Sequence, residues 1–337
     1  MIIIAEAGVN HNGDLTQAKA LIDVAAEAGA DYVKFQTFKA EKLVSKTAQK
    51  AEYQKRNIGD DNDSQFAMLK RLELNEMQHE ELQRYARTRN IRFLSTAFDL
   101  DSINYLNQLG IDVFKIPSGE ITNYPYLVAI SRQQKPVILS TGMATYQEVA
   151  EAMQVLIDHG VPKEKMTVLH CNTEYPTPYG DVNLKAMPLL GEQLGVAYGY
   201  SDHTLGIEVP IAAVALGATL IEKHFTLDRS LPGPDHAASL EPQELKDMVS
   251  AIRHIELAMQ GDGVKEPSAS ELKNRSVARK SIFINKNLSK GHILTEDDLI
   301  MMRPGNGISP MLMMSVIGKK LNEELTAGNM LTWQHIG

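Results

Sequence analysis

Short apolar runs that turn polar at their last residues alternate with amphipathic stretches along most of the chain. The first is Ile2-Ile3-Ile4-Ala5, followed by a helical pattern over 16–28 and a second strand at Tyr32-Val33-Lys34-Phe35-Gln36. A charged, polar stretch from Lys39 to about Asn75 comes next. It is much longer than an ordinary βα connection and of the kind that forms either a lid or binding loop or a disordered surface excursion. The rhythm then tightens. Helix 76–89 leads to strand 91–96, helix 100–109 to strand 113–116, helix 126–131 to strand 136–140, and helix 146–158 to strand 166–170. A helix over 184–194 precedes a strand in the stretch Tyr198 to Gly206, which follows the apolar step Gly195-Val196-Ala197 and turns polar at its end, and helix 208–216 precedes Ala218 to Phe225, with helix 242–260 closing the series. Eight strand–helix units over about 260 residues predict a (β/α)8 TIM barrel. A doubly wound open sheet is the alternative. Its first turn would carry a dinucleotide fingerprint, which Gly8-Val9-Asn10-His11-Asn12-Gly13 is not.

Beyond the barrel (1–263), Gly261-Asp262-Gly263 and the polar run to Lys280 read as a linker over 264–280, and 281–337 as a small α+β module. The module shows a strand at Ser281-Ile282-Phe283-Ile284, a capping-box pattern Thr295-Glu296-Asp297-Asp298 opening a short helix, the turn Arg303-Pro304-Gly305-Asn306-Gly307, and a helix over 311–317. Under about 60 residues bury only a marginal core, so the module is expected to lean on another surface. Its Met311, Met313 and Met314 read as core rather than as ligands.

Composition narrows the classes. Of 337 residues, 43% are hydrophobic and 23% charged, the profile of a globular chain. A net charge of −8 with no basic cluster argues against a nucleic-acid partner. The single cysteine, Cys171, excludes an intrachain disulfide framework and suits a reducing cytoplasm. Met1 to Ala5 is too short for a signal-peptide core, and the longest apolar region, Val209 to Ile221, contains Gly217 and falls short of a membrane span. A cytoplasmic protein without membrane association is expected.

In a (β/α)8 barrel the reactive groups sit at the C-terminal ends of the strands. Read together, those ends carry Glu6, Lys34 with Gln36, Thr96, Lys115 with Ser118 and Glu120, Ser140 with Thr141, Asn172 with Tyr175, Ser201 with His203, and Glu222 with His224. Two lysines at strand ends suit an anion, and Ser118-Gly119, Ser140-Thr141-Gly142 and Ser201 add donors of the kind that cradle phosphate. A small phosphorylated carboxylate is the implied ligand. Two consecutive strands end in His203 and His224, and imidazoles projecting over one rim suit a divalent metal. Cys171 follows His170, but neighbours on a strand point to opposite faces, so no thiolate–imidazolium pair forms and the cysteine reads as buried.

These residues resemble the sialic acid synthase family, which joins phosphoenolpyruvate to an N-acylated mannosamine sugar. The likeness spans essentially the whole chain. It rests on Ala5-Glu6-Ala7-Gly8-Val9-Asn10-His11-Asn12-Gly13, Lys34-Phe35-Gln36, Lys115-Ile116-Pro117-Ser118-Gly119-Glu120, Ser140-Thr141-Gly142, Tyr200-Ser201-Asp202-His203-Thr204 and Gly233-Pro234-Asp235-His236. The C-terminal module resembles the antifreeze-like (SAF) domain those enzymes carry. The resemblance implies that Lys34, Thr96, Lys115, Ser118, Ser140 and Ser201 hold phosphoenolpyruvate, with an amide from Asn172 or Thr173. It implies Mn²⁺, with Mg²⁺ or Co²⁺ as alternatives, on His203 and His224, and Glu6, Gln36, Glu120, Tyr175 and Asp235 facing the sugar. It further implies a domain-swapped homodimer in which Arg303 reaches the sugar's N-acyl group. N-acetylmannosamine, giving N-acetylneuraminate, is the first expectation for the acceptor. A diacetamido-trideoxy sugar, giving legionaminic acid, is the alternative, because Glu174 adds a carboxylate nearby. A metal-dependent aldolase on the same fold would need the metal but neither the paired lysines nor the hydroxyl cradle.

Overall fold

The computed structural model describes residues 1–58 and 64–337, in two compact units, Met1–Gln260 and Gly261–Gly337. In the first, eight strands pair in parallel: β1 (Ile2–Gly8), β2 (Tyr32–Thr37), β3 (Arg92–Ala97), β4 (Phe114–Ile116), β5 (Val137–Ser140), β6 (Met166–His170), β7 (Ala197–Asp202) and β8 (Leu220–His224). Their order, β3-β2-β1-β8-β7-β6-β5-β4, returns on itself with β3 and β4 in contact. This is the barrel rather than the open sheet.

The helices are α1 (Leu15–Ala28), α2 (Ala40–Leu43), α3 (Glu52–Ile58), α4 (Gln65–Leu72), α5 (Glu76–Thr88), α6 (Leu100–Leu109), α7 (Tyr124–Ser131), α8 (Tyr146–Asp158), α9 (Ala186–Leu194), α10 (Glu208–Ala215) and α11 (Pro242–Ala258). Their limits follow local chemistry. Asp14 caps α1 by accepting from Thr16 and Gln17 backbone N–H groups, and Gly29, at φ 81°, ends it in the left-handed conformation. Thr145 and Glu148 close a capping box on α8.

Alternation along the strands sorts side chains into two layers. Val33, Phe35, Tyr200 and Ile221 pack outward with α1, α5 and α11, whereas Ile4, Tyr32, Leu94 and Leu220 point into the barrel. Gly199 is required where β7 meets β8, since a Cβ there would lie 2.1 Å from the Leu220 carbonyl oxygen.

Two segments depart from the sequence reading. The stretch after β2, expected as a loop, forms α2, α3 and α4, with residues 59–63 lying outside the described residues. Met68 and Leu72 of α4 are buried against Val9 and Phe38, so one narrow apolar stripe holds an otherwise charged segment. The linker over 264–280 contains α12 (Ala269–Ala278), begun by a Ser268–Glu271 capping box whose Ser-x-x-Glu signature is present in the sequence.

The second unit pairs β9 (Ser281–Ile284) antiparallel with β10 (Leu299–Met302) around Ile282, Ile284, Leu294, Val316 and Leu331. Thr295 opens a 3₁₀ turn into β10 rather than an α-helix. Met313 packs on this core from α13 (Met313–Val316), but Met311 and Met314 are 90% and 81% exposed. The expectation of three core methionines is thereby corrected: Met311 lies within the 3₁₀ turn Pro310–Leu312, and Met314, next to Met313 in a helical segment, takes a different face from it. Among the described residues no helix is long and apolar enough to cross a membrane.

Asp298 ties this unit together. Its buried carboxylate accepts from Lys286 at 2.8 Å, from His292 Nε2 at 2.8 Å and from the Thr295 backbone N–H at 2.7 Å. Burial by itself would raise its pKa, but those donors outweigh it and hold the carboxyl below the usual range. A depressed folded-state pKa stabilises above the unfolded value and is lost as pH falls through the folded one. Asp298→Asn should therefore cost about 1–3 kcal/mol at pH 7. The deficit should shrink as the pH drops below about 4, where the unfolded carboxyl also protonates. The only tryptophan of the sequence, Trp333, lies in this unit, so its fluorescence during urea unfolding at the two pH values checks the expectation.

Candidate active site at the mouth of the barrel

Register explains why the reactive side chains meet. Glu6 of β1 stands beside Lys34 of β2 and His224 of β8, and Glu222 of β8 stands beside Ser201 of β7. Each lies on an inward-facing position, so the four strands deliver them to one cavity of about 600 Å³. Gly8 follows at φ 52°, and a Cβ there would come within 3.3 Å of both Glu6 Oε1 and His224 Cε1. The strand leaves the barrel through that gap.

Glu222 sits between two buried lysines. Lys115 Nζ lies 3.3 Å from its Oε1, and Lys34 Nζ lies 3.3 Å from its Oε2. Lys34 also pairs with Glu6 Oε2 at 2.9 Å and donates to Thr96 Oγ1 at 3.1 Å, while Ser201 Oγ donates to Glu222 Oε1 at 3.1 Å. All of these side chains are under 6% exposed. Burial penalises the Glu222 anion, but Lys115 and Lys34 together overcome it and hold the carboxyl well below its ordinary value. Glu6 goes the other way: burial raises it to about 7, only partly opposed by Lys34. Lys115 is lowered by burial despite Glu222, whereas Glu222 and Glu6 overcome the burial of Lys34 and raise it. With Glu6 protonated, this floor carries two cations and one anion, a net positive charge suited to an incoming anion.

Beside the floor stand the two imidazoles, ring centroids 5.4 Å apart. His203 donates Nδ1–H to the Asn172 carbonyl at 2.5 Å, which leaves Nε2 its lone pair, and buried His224 Nδ1 has no hydrogen-bond partner among the described residues. Burial lowers His203 to about 4 and His224 well below its ordinary value, so both rings are neutral. Two neutral, partly unpartnered imidazoles beside carboxylates fit a divalent metal. Among the described residues no cluster of three or more His, Cys, Asp or Glu is arranged for one. Tyr175 stacks on His203 at 4.1 Å and on Tyr53 of α3 at 4.9 Å. Asn57 donates to the Tyr175 and Pro234 carbonyls and Arg56 pairs with Glu174, which fastens α3 across the mouth.

The strand-end residues singled out in the sequence line this cavity, with Asp235, except Thr141, whose hydroxyl donates to the Leu169 carbonyl, and Asn172, whose side chain turns back to accept from the Glu174 N–H. Thr173 lines the cavity in its place, and the Asn172 carbonyl orients His203 instead. Arg303 lies exposed in the second unit. Cys171 is more than core filling: its Sγ meets Ser118 Oγ at 3.3 Å on the cavity wall. Asp235, also on that wall, is raised to about 7 by burial, and Glu120 is raised by burial against a bond from Asn123. Sequence reasoning noted Glu222 as a strand end without assigning it a role. The signal was its inward parity between Leu220 and His224. The length of the segment after β2 marked it as a lid or binding loop, but nothing in the sequence marked its helices or which of their side chains reach the cavity.

A (β/α)8 barrel that gathers buried lysines, carboxylates, hydroxyls and two imidazoles in one cavity at its strand ends has the layout of an enzyme's active site. The chain belongs to the NeuB family, whose model matches residues 21–265, and an SAF domain matches residues 279–337. It is a phosphoenolpyruvate-dependent, carbon–carbon bond-forming transferase of the nonulosonate synthase class. It is 54% identical to the N,N'-diacetyllegionaminic acid synthase of Campylobacter jejuni, over 94% of this chain and 95% of that protein. To the enzyme of the same name from Legionella pneumophila it is 50% identical, over 99% and 94%. Human N-acetylneuraminate-9-phosphate synthase matches at 33%, over 95% and 88%. The crystal structure of N-acetylneuraminic acid synthetase from Leptospira borgpetersenii superposes with a TM-score of 0.70 at 36% identity, covering 81% of this chain and 89% of that one.

The floor yields a direct test. Glu222→Gln removes the carboxylate that bridges Lys34 and Lys115 and should destabilise the fold by about 3–5 kcal/mol, the usual cost of breaking a buried ion pair. Inorganic phosphate should then raise the melting temperature of the variant more than that of the wild type, since an anion restores the balance. Equal shifts in both proteins would mean that the lysines do not share Glu222.

Proposed function

We propose that the enzyme condenses phosphoenolpyruvate with the open-chain aldehyde of a diacetamido-trideoxy sugar and water, giving N,N'-diacetyllegionaminic acid and phosphate. The observation that carries the chemistry is the Lys34–Glu222–Lys115 floor beside His203 and His224. The choice of sugar is supported by the two relatives named for that product, which match at 54% and 50%. N-acetylmannosamine, the first expectation from the sequence, gives way to the alternative on that ground.

Lys34 and Lys115 bind the carboxylate and phosphate of phosphoenolpyruvate, displacing part of their interaction with Glu222. Thr96, Ser118, Ser140 and Ser201 add hydroxyls, and the Thr173 amide completes the cradle. Ser140 Oγ is buried without a partner, so a ligand oxygen would satisfy it. His203 and His224 would hold a divalent ion, Mn²⁺ in the first place, which when bound polarises the aldehyde carbonyl. Gln36, Glu120, Tyr175 and Asp235 orient the sugar. As phosphoenolpyruvate C3 forms its bond to the aldehyde carbon, Glu6, raised to about 7, holds a proton at its carboxyl for the developing alkoxide. Water adds at C2, and the tetrahedral adduct expels phosphate by C–O cleavage. The lysines stabilise the anion at each stage.

A panel of amino sugars incubated with phosphoenolpyruvate and Mn²⁺, read by product mass spectrometry, tests this reading. The diacetamido-trideoxy sugar should give the leading product. A heavy-oxygen label at the bridging position of phosphoenolpyruvate should emerge wholly in inorganic phosphate. Chelation should stop turnover and added Mn²⁺ restore it. Label retained in the sugar acid, or turnover indifferent to chelation, would overturn the mechanism.

The enzyme works, in this proposal, as a cytoplasmic homodimer in which Arg303 of the partner subunit reaches the sugar's N-acyl group. Subunits carrying Arg303→Ala and subunits carrying Glu120→Ala should each be inactive and should recover partial activity after exchange into mixed dimers. A mixture as inactive as its parents, with exchange demonstrated by native mass spectrometry, would count against the arrangement.

A further inference from the structure

The cavity has two chemically distinct sides. Its floor, built from strand ends, is charged. Another part of its lining comes from the helical segment after β2, where Gln65, Met68, Leu69 and Leu72 of α4 all line the cavity. Their spacing of three, four and seven residues places them on a single face of the helix, so a whole stripe of α4 is turned to the ligand. Leu43, from α2, and Phe98, just after β3, extend the stripe. Met68 and Leu72 are fixed behind it by Val9 and Phe38, and Phe38 packs edge-on to Phe98 with ring centroids 6.2 Å apart. Leu43, Leu69 and Phe98 keep part of their surface accessible.

A wall of this composition in the same cavity as a charged floor selects an amphipathic substrate. The aldehyde end must lie by His203 and His224, which leaves the far end of the sugar to meet α4. A hydroxymethyl group pressed against Leu69, Met68 and Leu43 would lose its hydrogen bonds to water without replacement, whereas a methyl group would bury apolar surface. Gln65, at the end of the stripe, supplies one amide suited to an acetamido group.

We infer that the α4 face, with Leu69 at its accessible centre, is the specificity determinant that favours an acceptor sugar ending in a methyl group over one ending in a hydroxymethyl group. The inference rests on the acceptor assigned under Proposed function and explains how this chain enforces it. It concerns discrimination between sugars only; phosphoenolpyruvate is bound by the floor and should not sense the change.

The test compares kcat/KM for the diacetamido-trideoxy sugar and for N-acetylmannosamine in wild type, Leu69→Asn and Leu69→Met, with the KM for phosphoenolpyruvate and the melting temperature measured alongside. Leu69→Asn should lower kcat/KM for the deoxy sugar roughly 10- to 100-fold, the range for one methyl in an apolar pocket. It should narrow that sugar's lead over N-acetylmannosamine and leave the KM for phosphoenolpyruvate within about twofold of wild type, because that ligand meets other residues. Leu69→Met, which keeps the apolar surface, should retain the preference and shows whether a loss in the asparagine variant reflects polarity rather than misfolding. An equal loss on both sugars, or an unchanged ratio in Leu69→Asn, overturns this inference while the wild-type preference leaves the proposed function standing. A wild-type enzyme that condenses only N-acetylmannosamine overturns both.

Discussion

The site depends on one buried carboxylate. Lys34 and Lys115 are each almost wholly removed from water, and two ammonium groups in such a place repel each other and lose their hydration. Glu222 makes their burial tolerable by bridging them, with Ser201 completing its hydrogen bonding. Because Glu6 shares Lys34 and is raised to about 7, the floor is net positive while Glu6 holds its proton and balanced once the proton leaves. Charge balance, proton supply and anion affinity are thus one arrangement. Any change to Glu222 alters all three.

The barrel tolerates this arrangement because it separates polar and apolar layers by parity along each strand. Asp202 and Lys223, on the outward side of β7 and β8, form a second fully buried ion pair at 2.5 Å, with Lys223 also donating to the Thr204 carbonyl. That pair fastens the strand ends that carry His203 and His224. The imidazoles therefore project from a rigid rim, and the Asn172 carbonyl fixes the tautomer of one of them. Rigidity on this side contrasts with the other wall, which α3 and α4 supply from a long insertion tied across the mouth by Arg56 and Asn57. The buried charged groups come from the strands and the apolar lining from the insertion. The division matches the general behaviour of (β/α)8 enzymes, in which loops vary while the barrel stays.

The sequence by itself determined the eight-unit alternation, the polar residues at strand ends and the motifs that tie the chain to its family, because two-residue and 3.6-residue periods are written locally in which side chains are apolar. It also held the Ser268–Glu271 capping box, an N-terminal helix signal inside a stretch whose polarity suggests a linker. Tertiary structure alone decided the rest. Glu222 becomes the partner of both lysines only when β8 lies within reach of β2 and β4 across the barrel, a proximity between residues 34, 115 and 222 that no local pattern encodes. Thr173 replaces Asn172 at the cavity because the Asn172 side chain is used to close its own turn. The face of α4 becomes a wall only once Met68 and Leu72 dock on Val9 and Phe38. Local sequence sets which surfaces are apolar or charged; which surface meets which is set by packing between segments far apart in the chain, and that is where this enzyme's floor and its apolar wall are made.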